Sequence, residues 1–125
     1  MKTILLIDDD YMTREHLNEM LKEEGYKIVT ATNAFDAPKL VLENDIDLII
    51  SDIMMPYFSV DGFLEWIKDK YCDKIPIILI SALEYSEIKK HAALAETDFY
   101  IEKPIEPSKL LSYIKCLEYK TKRKV

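Results

Sequence analysis

Glycine is almost missing from this chain of 125 residues, with Gly25 and Gly62 as its only two. A collagen-like repeat is excluded at once. Cysteine is as scarce: Cys72 and Cys116 lie far apart without metal-ligand spacing. In a reducing compartment both are expected to be packing residues and not a disulfide. Long apolar runs are absent too, because the longest nearly unbroken one, Ile75 to Ile80, falls far short of the roughly 20 residues of a membrane span. The opening Met1-Lys2-Thr3-Ile4-Leu5-Leu6-Ile7 has too short an apolar stretch for a secretory leader, and no small-residue cleavage site follows it. A cytoplasmic location is expected. Nor is there a basic excess: 17 Lys plus Arg against 23 Asp plus Glu leave a net charge of −6. That balance argues against nucleic-acid binding by the domain as a whole. What remains, 49% hydrophobic and 32% charged residues, fills one core and keeps it soluble, so disordered and low-complexity readings fail.

Five short apolar runs punctuate the chain, at Thr3–Ile7, Lys27–Ala31, Asp47–Ser51, Pro76–Ile80 and Thr97–Ile101. Each has strand length. Segments of helical period lie between them, marked by Leu17, Met20 and Leu21, by Leu40 and Val41, by Phe63, Leu64, Ile67 and Tyr71, by Ile88, Ala92 and Ala95, and by Leu110, Leu111, Ile114 and Leu117. Strands that are apolar on both faces and alternate with helices predict an α/β domain, a doubly wound (βα)5 parallel sheet covered on both sides. Gly25 is placed to cap the first helix, Asp61-Gly62 to open the third and Pro107-Ser108 to open the fifth. Pro38 conflicts with the second helical pattern, because a proline inside a helix costs about 3 kcal/mol outside the first turn. That helix is expected to start late or to bend. Residues 1–120 form the domain, and the basic end 121–125 reads either as a solvated helix terminus near the negative pole of the dipole or as the start of a linker.

In an open α/β sheet, ligands bind outside the carboxyl ends of the strands. There the first strand runs into Asp8-Asp9-Asp10, the third into Asp52, the fourth into Ser81-Ala82 and the fifth into Lys103-Pro104. Asp10 also suits the N-cap of the first helix. Carboxylates gathered this closely repel, which protonation or a hard divalent cation relieves. Magnesium fits such a set, with Mn2+ as an alternative. A lysine and a hydroxyl on the same rim add the cation and donor needed to hold a transferred phosphoryl group.

These motifs, Ile4-Leu5-Leu6-Ile7-Asp8-Asp9-Asp10, Leu48 to Pro56, Asp61-Gly62, Ile80-Ser81-Ala82 and Tyr100 to Ile105, resemble in this order a response-regulator receiver domain of two-component signalling. The resemblance implies a flavodoxin-like three-layer fold with strand order 2-1-3-4-5. Asp52 is then the phosphoacceptor, taking a phosphoryl group from a sensor histidine kinase or phosphotransfer protein. Asp8, Asp9, Asp52 and the backbone carbonyl of Met54 hold Mg2+. Lys103 and Ser81 contact phosphoryl oxygens, and Ser81 with Tyr100 form the switch of the fourth helix, fifth strand and fifth helix. A cis bond before Pro104 is implied as well. The resemblance makes the chain a signalling domain and not an enzyme, and its implied partners are a downstream protein or output domain and a phosphorylation-dependent homodimer.

Three departures stand out. Tyr57-Phe58-Ser59-Val60 lengthens the loop before Asp61-Gly62, where the aromatics are in reach of the phosphoryl site. Glu96 occupies a turn where the family commonly carries glycine. Met54 and Leu83, two beyond Asp52 and Ser81, are too apolar to position water, so slow loss of the phosphoryl group is expected. His16 and His91 read as surface residues, Trp66 as helix packing, and one of Met54 and Met55 as coreward. Two competing functions stay open: a degenerate receiver that only binds partners, and a haloacid-dehalogenase-type phosphatase with Asp8 as nucleophile. Met12 and the missing late acidic motif speak against the second. A flavin module is poorer still, since three carboxylates face its phosphate.

Overall fold

The computed structural model describes residues 2–55, 59–72 and 74–123. Pro56, Tyr57, Phe58, Lys124 and Val125, and with them the heart of the lengthened loop and the end of the basic tail, lie outside the described residues. Along the rest the elements alternate: β1 (Thr3–Ile7), α1 (Tyr11–Glu23), β2 (Lys27–Ala31), α2 (Ala37–Glu43), β3 (Leu48–Asp52), α3 (Val60–Tyr71), β4 (Ile77–Ser81), α4 (Tyr85–Leu94), β5 (Tyr100–Glu102) and α5 (Pro107–Arg123). The strands form one parallel sheet in the order β2-β1-β3-β4-β5, as the resemblance implies.

Strand alternation divides the core into two layers. Leu5, Ile7, Ile49, Ile77 and Leu79 face one way and meet Val41 of α2, Phe63, Leu64 and Ile67 of α3, and Ile88 and Ala92 of α4. Ile4, Leu6, Leu48, Ile50, Ile78, Ile80 and Ile101 face the other way, against Leu17 and Leu21 of α1 and Leu110, Ile114 and Leu117 of α5. Because α1 leaves β1 on one face and α3 leaves β3 on the other, a crevice opens at the carboxyl ends of β1 and β3.

The helix boundaries follow from local chemistry. Asp10 caps α1, its carboxylate accepting the Thr13 N–H at 3.2 Å and the Thr13 hydroxyl at 2.5 Å. Pro38 occupies the first turn of a short α2, where no N–H is needed, so the late start resolves its conflict. Ser59 caps α3 through the Asp61 N–H, starting the helix one residue before Asp61-Gly62. At the end of α1, Gly25 takes φ +93° while Gly25 N–H bonds to Lys22 O and Tyr26 N–H to Leu21 O. At the end of α4 the same pair of bonds joins Glu96 to Ala93 and Thr97 to Ala92, with Glu96 at φ +52°. Glu96 therefore tolerates the left-handed conformation.

Several expectations need correction. The fifth strand forms at Tyr100–Glu102 and not at Thr97–Ile101, because Thr97 Oγ1 turns inward to donate to Ile77 O at 2.6 Å and accepts the Phe99 N–H. Both thiols are free and exposed instead of packed. Cys116 faces outward because Leu110, Ile114 and Leu117 already form the inward stripe of α5. His91 is half-buried and has a partner, with Nδ1 3.2 Å from an Asp61 carboxylate oxygen on α3. His16 is exposed, Trp66 packs beside the α3 core, and Met55 is buried while Met54 is not. No helix of the described residues is long and apolar enough to cross a membrane.

Candidate functional site

Strand ends and one loop assemble the site. Asp52 is the last residue of β3, Ser81 the last of β4, and Asp8 follows β1 directly. Asp8 still belongs to the sheet through its N–H, which bonds to Ala31 O at 3.1 Å. Register brings Asp52 beside Ile80, and Ser81 beside Glu102, one residue before Lys103. Lys103 N–H donates to Ser81 O at 2.7 Å, and the Lys103–Pro104 bond is cis, as the resemblance implies.

The structure joins four of the sequence-selected side chains. Lys103 Nζ donates to Asp8 Oδ2 at 2.7 Å and to Asp52 Oδ2 at 2.9 Å, bridging two carboxylates that are 0% and 4% exposed. Asp9 remains exposed beside them, and one oxygen from each of Asp8, Asp9 and Asp52 lies within 4.8 Å of the others. Asp8 Oδ1 accepts the Asp10 N–H at 2.9 Å, and Asp52 Oδ1 accepts the Met54 N–H at 3.1 Å. Three clustered carboxylate oxygens are hard donors of the kind that Mg2+ or Mn2+ requires, so the residues fit such an ion.

Electrostatics make this an unrelieved site. Burial pushes the Asp52 carboxyl above its usual range, the Lys103 hydrogen bond opposes that, and the Asp8 charge adds to it. At Lys103 burial works against the ammonium, yet the hydrogen bonds it donates to Asp8 and Asp52 and their charges outweigh it, leaving its pKa raised. Three carboxylates against one lysine leave an excess of negative charge at the rim.

The remaining candidates sit close by with weaker ties. The Ser81 hydroxyl is fully buried and accepts the Leu83 N–H at 3.1 Å; among the described residues it has no hydrogen bond to Asp52 or Lys103. Tyr100 is half-buried against the α3–α4 layer, its ring 5.1 Å from that of Tyr85. Hydrogen bonding with Tyr85 and then burial push the Tyr100 phenol up. One residue that sequence reasoning missed is Arg14, whose Nη1 donates to the Asp8 backbone carbonyl at 2.9 Å. Its only signal was a cation one turn into the helix that follows three aspartates.

Known proteins match both sequence and geometry. A family model described as the response regulator receiver domain matches residues 4–115. The phosphate regulon transcriptional regulatory protein PhoB of Pseudomonas aeruginosa is 31% identical over 96% of this chain and 53% of its own length. The chain spans about half the length of such curated relatives. Among solved structures, the response regulator TrrA of Thermotoga maritima, in complex with Mg(2+)-BeF, is 36% identical with a TM-score of 0.81, covering 94% of this chain and 99% of that one. A CheY-like receiver domain protein of Methanospirillum hungatei reaches a TM-score of 0.89 at 26% identity, covering 100% and 99%. With a matched segment that takes in all three clustered carboxylates and Lys103, on a sheet wound in the same order, the chain belongs to the response regulator receiver domain family.

Proposed function

We propose that this domain accepts a phosphoryl group on Asp52 from a phosphohistidine of a sensor kinase or phosphotransfer protein. The observation that carries the reading is the bridge of Lys103 Nζ across Asp8 and Asp52 beside Asp9. An Asp52 oxygen attacks phosphorus, the P–N bond breaks, and the imidazole leaves with its electron pair. Asp8, Asp9, Asp52 and the Met54 carbonyl would hold Mg2+, which offsets phosphoryl charge when bound. Lys103 is already at the rim and gives up one carboxylate contact for a phosphoryl oxygen.

Once phosphorylated, Asp52 carries about −2 charge and more acceptor oxygens. The Ser81 hydroxyl then exchanges the Leu83 N–H for a phosphoryl contact, and the α4–β5–α5 surface, with Tyr100, shifts toward the state a downstream partner or second copy prefers. Met54 is exposed and Leu83 packs against the core, so neither offers a polar group to an attacking water, and the phosphoryl group is long-lived. The receiver spans residues 1–120, with 121–125 a tail or the start of a linker, and works in the cytoplasm.

Intact-mass measurement with phosphoramidate and Mg2+ tests this. One added phosphoryl that disappears in Asp52→Asn is the expected outcome. No adduct on the wild type leaves a module that only binds partners, and label on Asp8 points to phosphatase chemistry.

A further inference from the structure

We propose that Arg14 is a positioning residue for the cation and phosphoryl site, its guanidinium fixing the peptide that joins Asp8 to Asp9. The proposal rests on the receiver reading above. Asp8 is the point where β1 becomes loop: its N–H makes a last sheet bond to Ala31 O, and its side-chain oxygens are held by Asp10 N–H and Lys103. Its carbonyl lies past the ladder and before the first helical acceptor, Asp10 O, which takes the Arg14 N–H at 3.0 Å. Arg14 Nη1 reaches back to that carbonyl at 2.9 Å. One residue thus closes the turn twice, by backbone at Asp10 and by side chain at Asp8.

The Asp8 carbonyl and the Asp9 N–H share one planar peptide unit, so holding the carbonyl sets the direction in which Asp9 leaves the loop. That matters because the Asp9 carboxylate has no hydrogen-bond partner among the described residues, while Asp8 and Asp10 on either side do. Backbone orientation is what brings its oxygen within 4.8 Å of those of Asp8 and Asp52. The guanidinium is itself restrained, its Cζ lying 5.8 Å from the centre of the Tyr11 ring. It also adds positive charge beside three consecutive carboxylates. Groups that orient a ligand without touching the ion typically change metal affinity by about 10-fold to 100-fold when removed.

Mn2+ binding to the full chain, read from the free-ion electron paramagnetic resonance signal, tests the proposal apart from phosphorylation. Arg14→Gln should weaken Mn2+ binding about tenfold. Arg14→Lys, which keeps a charged donor, should recover most of that loss. Tyr11→Leu, a change at an exposed ring, should weaken binding about threefold, and it decides the matter if Arg14→Gln does not fold. Phosphorylation of Arg14→Gln by phosphoramidate should be slow at limiting Mg2+, with the deficit narrowing as Mg2+ is raised, a split that general loosening of the fold does not produce. Wild-type Mn2+ affinity in both Arg14→Gln and Tyr11→Leu overturns the role of Arg14 while an Asp52 adduct on the wild type leaves the receiver reading intact. A wild type that takes no phosphoryl group overturns that reading and this one with it.

Discussion

The two ends of the sheet treat polar groups in opposite ways. At the carboxyl end, Asp8, Asp52 and Ser81 are buried, and one lysine faces two buried carboxylates and a third exposed one. At the amino end, polar groups close on each other: the Tyr26 hydroxyl donates to Glu118 of α5, Lys68 of α3 pairs with Glu96, and the turns after α1 and α4 satisfy their own carbonyls. Both ends are built on the same strands, so strand propensity is not the cause. Under the proposed function the carboxyl end keeps a charge excess to receive a cation or phosphoryl group, whereas the amino end is arranged for stability.

Removing the lysine should widen this contrast most. Lys103→Met leaves two buried carboxylates without their shared donor, a loss of about 3 kcal/mol in the metal-free protein by urea unfolding at pH 7. Adding Asp52→Asn to it should restore much of the loss, because the two changes act on one network. Mg2+ should shrink the contrast from the other side. At a concentration 100 times its dissociation constant it stabilises the wild type by about 2.7 kcal/mol and Asp52→Asn by far less. An equal gain in both proteins would place the ion elsewhere.

Asp52→Asn alone, without metal, should be more stable than the wild type by about 1 kcal/mol at pH 7. The sign comes from burial, which raises the Asp52 pKa: the folded state is favoured while Asp52 is protonated and loses that advantage as pH rises through its folded value. The gain from Asn should therefore vanish as pH falls below the ordinary aspartate range near about 4. A variant less stable than the wild type at pH 7 would contradict the idea of a strained carboxyl end.

Legibility in the sequence follows the same division. β1 and β2 form over the residues expected, because short apolar runs bounded by Asp8 and by Gly25 depend on local pattern alone. Asp8, Asp9, Asp52 and Lys103 were readable as a group since strand ends in a parallel sheet converge. The Asp61–His91 contact was not, because partners 30 residues apart on two helices leave no spacing to read. Arg14 was hidden for another reason: a basic residue in a first helical turn usually faces solvent, and only coordinates show it turned back on the Asp8 carbonyl. β5 moved because Thr97 spends its hydroxyl on Ile77 O, a side-chain bond that apolar counting ignores.

At the amino end the effects should be smaller. Tyr26→Phe removes the hydrogen bond to Glu118 and should cost about 1 kcal/mol. Burial, with Glu118 reinforcing it, raises the Tyr26 pKa, so the contribution is fully present below about pH 10, the ordinary tyrosine value, and is lost as pH rises through the folded one. Unfolding free energies of wild type and variant should differ constantly from pH 7 to pH 9 and converge above that. A difference that persists unchanged into strong alkali would mean that packing, not the hydroxyl, carries the effect.

The turn after α4 offers the smallest change and the sharpest check on the claim that this end is arranged for stability. Glu96 holds φ +52°, a conformation that Gly25 adopts in the matching turn of α1 without a side-chain penalty. Relieving that strain with Glu96→Gly should gain about 1 kcal/mol, since a residue with a Cβ loses roughly that much in the left-handed region. Against it stands the loss of the Lys68 pair, whose Glu96 side chain is 72% exposed and so contributes at most about 1 kcal/mol, together with the added freedom of glycine when unfolded. These terms nearly cancel, and the net change should stay within about 0.5 kcal/mol of zero at 0.1 M salt. Raising the salt to 1 M screens the exposed pair in the wild type and should move the balance toward the glycine variant. A variant that is strongly destabilised at both salts would show that Glu96 does more than close a turn.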